Sequence, residues 1–103
     1  MAIVQYKSKT VKYNAVQFDG TNFAEIQAFV GNRWMDLEQT YKVPRFDVGS
    51  RWLGPNVATA VLYVFGGYQP VNVGDWIMDQ KGPNTDFLII SNTDLQANYV
   101  VAP

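Results

Sequence analysis

The chain has 103 residues, 48% of them hydrophobic and 15% aromatic, with a net charge of −1. That is enough apolar material for one core and too little chain for two, so a single domain over residues 1–103 is expected and a disordered tail is excluded. Cysteine and histidine are both absent, which removes disulfides, thiolate and imidazole metal sites, and the Ser-His and Cys-His triads in their usual forms; no cofactor is expected.

No apolar run approaches the roughly 20 residues of a membrane helix. The first ten residues carry Lys7 and Lys9 with no apolar run behind them, unlike a secretory leader. The expectation is a chain with no membrane contact. Nor does the charge balance fit a general binder of nucleic acid, whose affinity comes largely from neutralising phosphates. Lys7, Lys9 and Lys12 interleave with Tyr6 and Tyr13, a pattern able to stack bases, but it reads better as an edge strand guarded by lysines.

In chain order, residues 11–18 are rich in Val, Tyr and Phe and predict a strand, stopped at Asp19-Gly20. Asn22 with Glu25 three residues on has the spacing of a capping box. Phe23, Ile26, Phe29 and Val30 follow at helical spacing, and Gly31 is a natural stop, so residues 22–30 predict a short helix packed on a sheet. Residues 41–48 predict a strand that Pro44 confines to an edge or a bulge. Gly49, Ser50, Gly54 and Pro55 mark a loop. Residues 57–65 predict the strongest strand, buried on both faces. Gly66-Gly67 turns the chain, residues 71–74 lead into a strand over 76–80, residues 81–84 turn, and residues 87–91 return as a strand. One helical turn over 92–98 and a short strand over 99–102 close the chain. Close-spaced strands pair antiparallel, so the predicted fold is α+β: a small curled antiparallel sheet or partly open barrel with one short helix on a face.

Without imidazole or thiol, catalysis would fall to carboxylates. Glu25, Glu38, Asp75, Asp79, Asp86 and Asp94 are the candidates for a glycosidase-type pair, yet caps and turns account for most of them. Gly74 and Asp75 read as a structural turn, with glycine supplying an unusual backbone conformation and the carboxylate accepting turn amides.

The middle of the chain stands out. Each arginine precedes an aromatic: Arg33-Trp34, Arg45-Phe46 and Arg51-Trp52, the last followed by Leu53. Trp and Arg dominate protein-protein hot spots, and all seven residues fall in the irregular stretch 32–56, where loops carry function. They are the candidate protein interface. For any one pair, core aromatics with snorkelling arginines are the simpler account.

Three segments resemble a family of small tailed-bacteriophage and prophage proteins. Ala15-Val16-Gln17-Phe18-Asp19-Gly20, before a helix with Glu25, Ile26 and Phe29, is similar to that family's Val-Gln-Trp or Val-Gln-Phe strand and helix. Val73-Gly74-Asp75-Trp76-Ile77 resembles its Pro-Gly-Asp-Trp-Ile, and Phe87 with Asp94-Leu95 and Tyr99 resembles its C-terminal ending. The chain departs from the family in its longer middle, 32–56, and at Asn84-Thr85-Asp86. The resemblance implies a phage origin and a shared sheet scaffold, and carries no catalytic residue with it. The expectation is therefore a non-enzymatic protein-interaction module with residues 33–53 as its recognition surface. It would be either a minor virion component on capsid or tail subunits, or an early-expressed protein in the cytoplasm of the infected bacterium that binds a host protein. Self-association is compatible with both, and a small-ligand or nucleotide-binding domain is the alternative class.

Overall fold

The structure, a computed structural model, describes residues 3–8, 11–34, 42–80 and 86–101. In chain order it holds β1 (Val4–Ser8), β2 (Val11–Gln17), α1 (Phe23–Val30), β3 (Asn32–Trp34), β4 (Lys42–Pro44), β5 (Phe46–Val48), α2 (Gly49–Leu53), β6 (Ala60–Val64), β7 (Gly67–Val71), β8 (Trp76–Asp79), β9 (Phe87–Ile90), α3 (Asn92–Asn98) and β10 (Val100–Val101). The fold is α+β, and every described pairing is antiparallel. The strands divide into a five-stranded sheet in the order β10-β1-β2-β8-β9, a three-stranded sheet β5-β6-β7, and the small pair β3-β4.

Period-two alternation builds the core. From the five-stranded sheet, Val16 and Ile77 face the same side, with Phe87 and Ile89 beside them. On that side they meet Ile26 and Val30 of α1 and Phe46, Ala60, Leu62, Val64 and Val71 of the three-stranded sheet. The intervening residues Ala15, Trp76 and Met78 face the other way, where Leu95 of α3 seals them together with Tyr13, Leu88, Ile90 and Tyr99. Leu95 and Tyr99, one helical turn apart, staple the C-terminal segment to the sheet: Leu95 is buried, and the Tyr99 ring meets Tyr13 edge-on at 6.2 Å. Full burial of one such side chain is worth about 1.5–3 kcal/mol, so α3, though short, is well anchored.

Asn22 and Glu25 pair as the capping-box spacing predicts, but side chain to side chain. Asn22 Nδ2 donates to Glu25 Oε1 at 2.9 Å and to the Gln17 carbonyl at 2.8 Å. Its Oδ1 accepts the Asp19 N–H at 2.9 Å instead of a helix amide. The cap thus ties the helix back to β2, a role local spacing does not reveal.

Four expectations are corrected. First, the strand of residues 41–48 is broken: β4 ends at Pro44, and the Arg45 carbonyl accepts the Tyr63 N–H at 2.7 Å, starting β5 on a different sheet (residue 41 lies outside the described residues). Second, residues 49–53 are a short helix, not a loop. Third, only residues 60–64 of the stretch 57–65 form the buried strand; Val57 and Phe65 are 48% and 70% exposed. Asn56 and Phe65, both at positive φ, turn the chain at its two ends. Fourth, β1 lies between β10 and β2, so it is not a guarded edge. The turn expected at Gly66-Gly67 falls one residue earlier, at Phe65-Gly66, and Gly67 opens a further strand, β7, that runs to Val71, while the turn over 81–84 lies outside the described residues. No described helix is long and apolar enough to cross a membrane.

Candidate protein-interaction surface

The structure separates the seven predicted interface residues. Arg33 and Trp34 sit in β3, opposite Val43 and Lys42 of β4; their side chains lie outside what is described. Phe46 is buried and belongs to the core, not to a surface: its ring lies 5.1 Å from Phe18 and 5.3 Å from Phe23. The physical reason is register. Phe46 pairs with Leu62, and both face the five-stranded sheet.

Arg45 is a strut rather than a contact residue. Its Nε and one terminal nitrogen donate to the Tyr63 carbonyl at 3.1 and 2.8 Å, the guanidinium lies 4.9 Å above the Phe87 ring, and it forms an ion pair with Asp86. Burial pushes the Asp86 pKa up, but hydrogen bonds from Arg45 and from the Phe87 and Phe65 amides outweigh it and hold this carboxyl below the usual aspartate range.

Arg51, Trp52 and Leu53 remain together on α2, at one end of the three-stranded sheet. Trp52 lies flat on Tyr68, ring centroids 4.4 Å apart at 15°, and Tyr68 meets Tyr63 edge-on at 5.1 Å. Asp47, almost wholly buried beneath α2, accepts from Arg51 at 3.2 Å, from Trp52 Nε1 at 3.4 Å and from the Val48 amide at 2.8 Å. The Arg51 guanidinium stacks 5.2 Å from the Trp52 ring, yet its side chain is 67% exposed. Val48 before α2, Leu53 at its end and Val57 in the loop after it are exposed apolar residues. The result is an exposed arginine on a stacked aromatic base, on an element flanked by exposed aliphatic groups.

Glycine makes this end possible. The Gly49 N–H donates to the Thr59 carbonyl at 3.0 Å, and a Cβ on Gly49 would lie 2.0 Å from the Ala58 carbonyl oxygen. The loop after α2 therefore folds directly over its start, with residues 58 and 59 against Gly49. Val48 and Val57 were missed in the sequence because both sit at positions that read as strand. The signal for Val48 was the adjoining Gly49, which marks a close backbone approach.

The remaining assigned turn is built as its residue types imply. Gly74 has φ +98°, and its N–H donates to the Phe18 carbonyl at 2.8 Å while the Phe18 N–H donates to the Asp75 carbonyl at 2.9 Å. Asp75 Oδ2 accepts the Asn72 amide at 2.9 Å. Asp19 likewise accepts the Thr21 amide and hydroxyl, which lower its pKa. Of the glycosidase candidates, Glu25 is held by Asn22 and Asp86 by Arg45, while Glu38 lies outside the described residues. Among the described residues no three acidic side chains converge as a metal site would need.

No protein-family model, curated protein or solved structure matches the chain.

Proposed function

We propose that the chain is a non-enzymatic protein-interaction module that uses the α2 surface, Arg51 with Val48, Leu53 and Val57, to seat on a protein partner. The observation that carries this reading is the arrangement around Arg51. Its guanidinium is positioned by Asp47 and Trp52 but remains largely exposed, on a helix whose end residue Leu53 and flanking residues Val48 and Val57 are exposed and aliphatic. A pre-positioned, exposed arginine stacked on a tryptophan is the chemistry of an interface hot spot, because part of the ordering cost of the long side chain is already met in the unbound protein. Arg45, Phe46 and Gly74-Asp75 belong to the scaffold.

The resemblance of the segments around Gln17-Phe18 and Gly74-Asp75-Trp76 to small tailed-phage proteins supports a virion subunit of capsid or tail as the partner. Quantitative mass spectrometry of purified particles tests it. A fixed copy number per particle is the expected result. Absence from particles, with a host protein co-purifying from infected cells, would replace that partner with a host one.

A further inference from the structure

β9 is an edge in the strand order, and its four residues, Phe87-Leu88-Ile89-Ile90, are all apolar. Natural edges are usually blunted by charge or proline. One edge strand of the three-stranded sheet, β7, follows that rule: in the two-residue hairpin closed by Val64 and Gly67, alternation turns the backbone of Tyr68 and Pro70 outward, so Pro70 removes an outward donor. Within β9 itself there is neither charge nor proline.

The backbone bonds fix which groups β9 offers. The Phe18–Asp75 bond sets the phase of β2 against β8, so residues 76 and 78 face β9, and Leu88 and Ile90 bond inward. Phe87 and Ile89 turn outward. The Phe87 N–H is taken by the carboxylate of Asp86 at 2.8 Å; the Ile89 N–H and carbonyl are left facing out, and no described strand pairs with them.

Beside this edge lies an open groove of about 380 Å³, lined by Val64, Phe65, Gln69 and Pro70 on one wall and Phe87, Leu88 and Ile89 on the other. Its lining carries no charge, and the neighbouring Arg45 and Asp86 neutralise each other. Phe65 is the anomaly. It and Gly66 have φ of +51° and +85°, the pattern of a type I′ turn, for which Asn-Gly is the preferred pair. A phenylalanine there is strained, and at 70% exposed it adds little to the core. Residues that break a local rule without benefit to the fold mark function.

We infer that β9 and Phe65 form a binding site for an extended, uncharged, apolar segment of a partner protein, which joins the sheet as an added strand while Phe65 clamps its side chains in the groove. Strand addition explains the open backbone edge, and side-chain pockets beside it supply selectivity. The occupant is a short segment and not a second copy of this chain. A four-residue edge and one ring fall well short of the roughly 1,200 Å² at the lower bound of stable interfaces. This site is separate from the α2 surface.

The test is selection of a displayed library of twelve-residue peptides on the intact protein, followed by fluorescence anisotropy of the synthesised winner. Enriched sequences should alternate apolar residues and lack charge. N-methylation of alternate backbone amides in the winning peptide should abolish its binding, and the bound peptide should slow hydrogen exchange at Ile89. Phe65→Asn should weaken binding at least tenfold while raising the thermal midpoint, because Asn suits the turn. No enrichment, equal binding by Phe65→Asn, or a lowered midpoint in that variant would overturn the inference. So would concentration-dependent dimerisation that Phe65→Asn abolishes, which would make the occupant a second copy. The assay contains neither virion nor host protein, so its failure leaves the α2 reading untouched.

Discussion

Arg45 reaches across from the three-stranded sheet to pair with Asp86, at the start of the outer strand of the five-stranded sheet. The same carboxylate accepts the Phe65 amide at 3.2 Å, so one ion pair fixes the distance between the two sheets and the hairpin tip. Removing one partner of a fully buried pair costs about 3–5 kcal/mol. Here the side chains are 17% and 26% exposed, and solvent screening lowers the expected cost of Arg45→Ala to about 2 kcal/mol. Urea denaturation of Arg45→Ala, Asp86→Ala and the double variant should show the double change costing less than the sum of the singles.

The same carboxylate gives the fold an acid limit. The Asp86 pKa is lowered from its ordinary 3.8, so its contribution is fully present above that value and is lost as pH falls through the folded pKa. Stability measured from pH 6 downward should therefore fall more steeply for the native protein than for Asp86→Asn, with the curves converging in strong acid. The carboxyl carbon of Asp86, followed by NMR, should titrate below the usual aspartate range.

Gly49→Ala should dislodge α2. Its Cβ would collide with the backbone carbonyl of Ala58, which cannot swing aside as a side chain can, and overpacking of this kind costs about 1–3 kcal/mol or more. Tryptophan fluorescence should report loss of the Trp52–Tyr68 stack. A native-like spectrum and unchanged stability would show that the loop yields.

The arginine-aromatic pairs should behave oppositely. Phe46→Ala removes a buried ring and should destabilise by about 3–5 kcal/mol. Arg51→Ala, on a largely exposed side chain, should change stability by less than about 1 kcal/mol, yet weaken partner binding about tenfold or more, as loss of a hot spot does. Paired thermal melts and binding isotherms distinguish the two.

Much of the framework was legible in the sequence, because period and punctuation speak directly. Phe23, Ile26 and Val30 with Gly31 gave α1, and Trp76-Ile77-Met78 gave β8. The division into separate sheets was not legible. It depends on the Arg45 carbonyl accepting Tyr63 and on Gly49 packing under Ala58, contacts between residues 9 to 18 apart that no local pattern encodes. The three arginine-aromatic pairs look alike in sequence, and only register separates Phe46, facing the core opposite Leu62, from Trp52, lying on the outer face against Tyr68. In the sequence Phe65 reads as the end of a strand. Its conflict with the following glycine, where a tight turn favours Asn-Gly, was the available signal.

The central claim is that the α2 end binds a protein, and photo-crosslinking addresses it most directly. A benzophenone side chain placed at Leu53, compared with one at the exposed Ala97 of α3, is irradiated in purified particles. The account predicts one dominant crosslinked virion subunit from position 53 and none above background from position 97. Equal yields from the two positions, or no product from position 53 in particles that contain the chain, would contradict it.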